Sequence, residues 1–328
     1  MGVAADRKET LMAVLRTRLA VLAALAFALA FGLAACGGGT ESPPSTGSTR
    51  PAAFPVTLTD DDGVSVTLAA PPRRIVTFAP SNTEIVFALG LGNRLVGVSG
   101  TFDDYPPEAM DIEEVGGSGE FGVDPNAEKL VSLDPDLMLA ISGGDEWKRR
   151  LRDLGIPVFT LNATDFEDLL HDIGTVGALT GVPERAAALT ARMSNRATEL
   201  QAAIADEPPV SCFFEVYFPP LTTVGPNTFI ADLLARAGCG SVSTEASSDY
   251  PEWSVEDLVK ESPQVYLVAS ESGASPDAVA KRPGFRAITA VAEGRIFLID
   301  SDLVSRPGPR VVEGLAALAK TLHPGVFP

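Results

Sequence analysis

Residues 183–205 read PERAAALTARMSNRATELQAAIA, from Pro183 to Ala205, and the division of the chain follows from this stretch. Leu189, Met193, Ala197, Leu200 and Ile204 recur at steps of three or four residues, which is the spacing of a helix with one apolar stripe. Pro183 suits a first turn, where its missing N–H costs nothing, and Pro208-Pro209 ends the helix. At about 1.5 Å per residue the helix would run roughly 35 Å, the span of a small domain. Asp206 and Glu207 oppose its dipole.

The same pattern occurs on either side of this helix. Glu128-Lys129-Leu130-Val131 leads through Pro135 to Leu137-Met138-Leu139, and Glu256-Asp257-Leu258-Val259 leads through Pro263 to Val265-Tyr266-Leu267, all at one constant offset. A second echo pairs Asn82-Thr83 and Ile85 with Asn227-Thr228 and Ile230. The chain therefore divides into two like lobes, 54–175 and 209–328, joined by one stiff helical segment, 176–208.

Composition bounds the function. The 328 residues, 45% hydrophobic, allow about two domains with ordinary cores. Twenty-five Lys and Arg against 43 Asp and Glu argue against nucleic acid, which needs clustered basic residues. Residues 1–35 read as an export signal, because Arg7, Lys8, Arg16 and Arg18 precede the apolar run Leu19 to Leu33. Met12 serves equally as a start. Leu33-Ala34-Ala35-Cys36 resembles a lipobox, which implies cleavage before Cys36 and a lipid on its thiol. Cleavage leaves 21 basic against 41 acidic residues, and 36–53, rich in Gly, Ser, Thr and Pro, reads as a flexible tether. In an oxidising compartment Cys212 and Cys239 either pair, since a strand start and a helix end meet there, or remain two small buried thiols.

The rest of the pattern alternates. Val56 to Ala69 reads as a hairpin around Asp60-Asp61-Asp62-Gly63. Strands are expected at 74–78, 95–99, 136–141 and 158–162, with helices at 83–91 (capped by Ser81), 126–133, 146–154 and 166–179. The second lobe is expected to hold strands at 212–216, 265–269 and 295–300 and helices at 229–237, 254–261, 276–288 and 311–322. Such alternation means parallel sheets covered on both faces, with ligands collecting at the carboxyl ends of the strands.

Catalytic signatures are missing. Gly117-Ser118-Gly119-Glu120-Phe121-Gly122 has dinucleotide-like spacing, but no strand precedes it and its acids would repel a pyrophosphate. There is no P-loop lysine motif and no Gly-x-Ser-x-Gly elbow. His171 and His323 lack zinc spacing, and two scattered histidines argue against an exported hydrolase. A bare metal cargo would need imidazoles and carboxylates converging in the cleft, whereas a chelated one needs none. The aromatics Phe102, Tyr105, Phe121, Tyr217, Phe218, Tyr250 and Trp253 offer flat apolar surface instead.

Arg74-Ile75-Val76-Thr77-Phe78-Ala79-Pro80-Ser81-Asn82-Thr83-Glu84, Tyr105-Pro106-Pro107, the Glu128 repeat, Tyr250-Pro251-Glu252-Trp253 and Pro309-Arg310 together resemble the helical-backbone (class III) substrate-binding proteins of ABC importers for cobalamin, ferric siderophores and haem, with the cobalamin branch nearest. The resemblance covers about 55–328. It implies an α/β fold of two Rossmann-like lobes, a rigid interlobe helix, a shallow cleft for a metal chelate, and a permease dimer with its ATPase subunits as partner. It also implies a monomer tethered to the membrane that has no cofactor or enzymatic activity. By position, Phe102 matches an aromatic facing the corrin ring, Tyr250 a cleft tryptophan, and Phe121 lies near another. Ile141 stands where the cobalamin branch has a tryptophan, and the segment around Tyr217 and Phe218 aligns only with a gap, which leaves a siderophore or haem as the alternative cargo. Arg306 either meets a ligand's negative charge or braces the loop before Pro307. Glu128 and Glu256 match the carboxylates that dock into arginine pockets on the two permease subunits.

Overall fold

Four parallel strands, β3 (Ile75–Thr77), β4 (Leu95–Gly97), β5 (Leu137–Ala140) and β6 (Val158–Thr160), form the first sheet in the order β4-β3-β5-β6. The computed structural model describes residues 53–100, 102–116 and 124–327; the expected signal, Cys36 and Phe121 lie outside them. Helices α1 (Pro80–Ala88), α2 (Ala127–Leu133), α3 (Asp145–Asp153) and α4 (Phe166–Thr180) alternate with the strands. β3, β5 and β6 are buried at every residue, as a sheet covered on both faces requires. Ser81 does not cap α1: the helix starts at Pro80, after Ala79, because proline's fixed φ favours the first helical position.

The hairpin of β1 (Val56–Thr59) and β2 (Ser65–Leu68) does more than turn. Its acids grip the edge of the sheet: Asp60 accepts from the Thr160 amide at 3.1 Å and from Arg152 at 3.0 Å. Asp62 pairs at 2.7 Å with Lys148, whose fully buried ammonium also donates to Thr160 Oγ1 at 3.0 Å. A buried ammonium needs this pairing to offset its desolvation.

The long helix is α5 (Pro183–Ala203), with Leu189, Met193, Ala197, Leu200 and the following Ile204 all buried. It does not join the lobes alone. One continuous apolar core runs from Ile75 and Leu139 through Ile173, Met193 and Leu200 to Phe214, Leu267 and Leu315. α4 and the terminal α11 (Val311–Leu322) both pack against α5.

The second sheet holds β7 (Val210–Tyr217), β10 (Val265–Ala269) and β11 (Ile296–Ile299), with the short β9 (Cys239–Ser241) parallel to β7. It is not wholly parallel. β8 (Thr222–Thr223) runs antiparallel to β7, because the chain returns through 218–221, too few residues for a crossover. α6 (Phe229–Arg236), α7 (Val255–Glu261), α8 (Pro276–Ala280), α9 (Thr289–Ala292) and α10 (Ser301–Val304) surround it. The helix expected over 276–288 breaks after Ala280: Pro283 lacks an N–H, and Gly284 takes φ 83°. Cys212 and Cys239 are joined in a disulfide with their Cα atoms 5.7 Å apart, between the neighbouring strands β7 and β9.

The first echo has one local geometry in both copies. The Asn126 side chain accepts from the Lys129 amide at 3.1 Å, and Ser254 accepts from the Asp257 amide at 2.9 Å. Both helices end on a left-handed residue, Asp134 and Ser262, each at φ 44°. The second echo is displaced by one turn, since Thr228 caps α6 whereas Thr83 lies inside α1.

Candidate functional site

The carboxyl ends of both sheets meet at a cavity of about 440 Å³. The first lobe contributes Ser81 and Asn82 after β3, Ile141 and Ser142 after β5, Asn162 to Thr164 after β6, and Asp172 of α4. The second contributes Asn227 and Thr228 before α6, then Asp249, Tyr250, Ser305 and Pro307. An adjoining hollow of about 520 Å³ shares Thr164, Asn227 and Thr228 and continues to Cys239. Small polar groups dominate because strand ends need loops, and loops need Ser, Thr and Asn to satisfy their backbone.

Buried hydroxyls hold the first wall in place. Thr77 and Thr83 share a 2.7 Å hydrogen bond, Thr83 donates to Asp103 at 2.5 Å, and Asp103 also accepts from Ser99 and from the Gly100 amide. This chain ties the loop carrying Phe102 to α1. On the second wall, Ser270 and Ser301 link the ends of β10 and β11 at 3.1 Å.

Charged pairs close one side of the cleft. Arg310 donates to Glu84 through Nε at 3.0 Å and Nη2 at 2.6 Å, a bidentate contact between residues 226 apart in sequence. Burial raises the Glu84 carboxyl even against the pull of Arg310 and Arg306. Arg306 pairs with Asp104 at 3.1 Å and Asp302 at 2.6 Å. Tyr105 lies under the Arg310 guanidinium, 3.8 Å from it.

Asp172 is only 4% exposed, and burial, followed by the charges of Asp61 and Asp168, pushes its carboxyl up to about 8. Asn82 is 2% exposed and its Nδ2 has no hydrogen-bond partner. Burial, then Asp249, raises the Tyr250 phenol.

Of the described aromatics expected to face a ligand, the cavity takes Tyr250, which is 56% exposed. Phe102 and Tyr217, 67% and 51% exposed, stand outside its lining. Phe218 instead packs on Phe285 and under Arg282, whose guanidinium is 3.9 Å from its ring, and Trp253 packs on Phe213, both half-buried against the second lobe's core. Tyr105 and Arg306 belong to the charged closure, so Arg306 braces its loop. Asp172 was missed as a cavity residue, whereas Asn82 already stood out in the sequence. The signal for Asp172 was an acid within the apolar stripe Leu169, Ile173, Val176, and that for Asn82 was its echo in Asn227.

Glu128 and Glu256 are exposed in the first turns of α2 and α7, and among the described residues neither has an ion-pair partner. A helix returning antiparallel to parallel strands begins at their carboxyl edge, so both carboxylates stand on the cleft side of their sheets. Among the described residues no helix is long and apolar enough to cross a membrane, and no cluster of three or more His, Cys, Asp or Glu is placed to hold a metal ion.

A family model described as periplasmic binding protein matches residues 75–303. An uncharacterised ABC transporter substrate-binding lipoprotein of Bacillus subtilis, YvrC, is 34% identical over 95% of this chain and 99% of its own length. A cobalamin-binding protein of Halobacterium salinarum is 33% identical over 94% of this chain and 85% of its own. Among solved structures, the periplasmic heme-binding protein RhuT of Roseiflexus superposes with TM-score 0.68 at 26% identity, over 77% of this chain and 99% of that one.

Proposed function

The chain belongs to the periplasmic binding protein family, as an extracytoplasmic, non-enzymatic substrate-binding component of an ABC transporter, and on that premise we propose that its cargo is cobalamin, held in the interlobe cavity. The observation that carries this is the cavity itself, a polar pocket lined by no Lys, Arg or His, at the carboxyl edges of both sheets with Tyr250 on one wall. The cobalamin-binding relative spans nearly the whole chain and supports the same cargo. Phe102 and Tyr217, exposed near the strand ends, offer apolar surface to the part of a large chelate that projects from so small a cavity. Ferric siderophores and haem are the alternative cargo.

In this reading the signal at 1–35 is removed, Cys36 carries the lipid, and 36–53 tethers a monomer to the outer face of the membrane, where the tether raises its effective concentration at the permease. Glu128 and Glu256, one per lobe, form charge-assisted pairs with arginines on the two permease subunits. The shared core keeps their separation nearly fixed.

Melting curves with cyanocobalamin, a ferric siderophore and haem test the cargo. A ligand at 100 times its Kd adds about 2.7 kcal/mol to the folded state, so cyanocobalamin raises the Tm. If none of the three moves it, the cargo assignment is wrong.

A further inference from the structure

The cavity lining carries a charge pattern that separates the candidate chelates. Among the described residues it contains no Lys, Arg or His; its ionisable groups are Asp172, Asp249 and Tyr250. Arg306 sits between the lining residues Ser305 and Pro307, but its guanidinium is committed to Asp104 and Asp302. Arg310 is likewise committed to Glu84. A carboxylate entering here would find two acids and no free cation, and like charges in a shielded site repel more strongly than in water.

The polar groups present suit a different ligand chemistry. Asn82, Asn162 and Asn227 bring three amides to the lining. The Nδ2 of Asn82 is a buried donor without an acceptor, a state that native structures rarely leave unanswered. Asp172 shares that wall. Asp61 faces it from the hairpin turn and Asp168 from its own helix, while the Ala163 amide donates to it. From the other lobe, Asp249 and Tyr250 share the cavity. With acids on these sides and little solvent, Asp172 stays protonated near neutral pH, and a protonated carboxyl offers one donor and one acceptor, the complement of a primary amide.

We propose that the cavity selects a chelate whose peripheral groups are uncharged carboxamides and rejects one bearing carboxylates, with Asn82 and Asp172 as the pair that reads the amide. This rests on the cavity being the cargo site. It separates cobalamin, whose corrin rim carries carboxamides, from haem, which presents two propionates.

The test is calorimetric titration of the full chain with cyanocobalamin and with its monocarboxylate derivative, made by hydrolysing one propionamide. The wild type binds the acid about tenfold more weakly at pH 7, the equivalent of one lost hydrogen bond. Asn82→Ala weakens cyanocobalamin by about tenfold, because the amide oxygen loses its Nδ2 donor. Wild-type affinity is flat below about pH 8 and falls above it as Asp172 ionises, whereas Asp172→Asn, neutral at every pH, removes that fall. Equal binding of amide and acid by the wild type overturns the proposal without any variant. So does unchanged cyanocobalamin affinity in Asn82→Ala together with an unchanged pH profile in Asp172→Asn. Wild-type binding of cyanocobalamin separately reads the cargo assignment. If the chain instead takes an uncharged ferric hydroxamate, and Asn82→Ala weakens it, the assignment to cobalamin fails while selection for neutral amides stands. Preference for haem overturns both.

Discussion

The two lobes present the same helix-to-strand unit on different foundations. α2 leading to β5 and α7 leading to β10 share side-chain N-caps, a left-handed final residue, a buried leucine (Leu130 and Leu258) and an exposed first-turn glutamate. Beneath these units the lobes differ. The first is clamped by its acidic hairpin, through Asp60 with Arg152 and Asp62 with Lys148. The second is held by buried Glu215, which accepts from Arg282 at 2.5 and 2.9 Å and from the Tyr266 hydroxyl at 2.5 Å, and by the Cys212–Cys239 bond. Their cleft walls differ as well, with Asn82 and Asp172 on one side and Tyr250 on the other. A surface repeated with fixed geometry suits a partner with two matching sites, and walls that diverge suit a ligand with two unlike faces.

The largest expected effect comes from removing what only the second lobe has. Replacing Cys212 and Cys239 by serine opens a loop with a separation of 27 residues, which costs about 3.5 kcal/mol in the chain-entropy model. Urea unfolding reads the loss, and equal midpoints for the wild type and the double variant would remove the bond as a difference between the lobes. Next is the ion pair that spans the two lobes beside their shared core. Arg310→Ala leaves Glu84 buried without its partner, at a cost of about 3 kcal/mol. Adding Glu84→Leu recovers most of that loss, because no uncompensated charge remains. A double-mutant cycle with no coupling would show that the pair does not join the lobes.

Much of this architecture was legible in local pattern. The stripe from Leu189 to Ile204 located α5, and the constant offset between the Glu128 and Glu256 segments located α2, β5, α7 and β10, because these are short-range periodicities set by backbone geometry. What local pattern does not carry is partnership across the chain. Tyr105 and Arg306 read as ligand contacts until their partners, Arg310 and Asp104, are brought in from about two hundred residues away. Phe218 and Trp253 misled for a related reason: an aromatic beside a turn packs inward as readily as outward, and nearby Phe213 and Phe285 decide the direction. Asp172 was visible as an acid on an apolar face, but only the converging strand ends reveal that this face lines a cavity.

The smallest expected effect on stability bears on the central claim, that the cleft holds the cargo while the repeated helix-to-strand units meet the permease. Glu128→Ala and Glu256→Ala remove exposed side chains with no ion-pair partner among the described residues, so the Tm stays nearly unchanged. The direct measurement is cyanocobalamin uptake by vesicles carrying the cognate permease and ATPase, with cyanocobalamin affinity determined on the same preparations of wild type and the Glu128→Ala/Glu256→Ala double variant. The account predicts wild-type affinity and at least a tenfold loss of uptake in the double variant, which lacks both charge-assisted contacts. Normal uptake by the double variant, or loss of cyanocobalamin binding in its place, would contradict it.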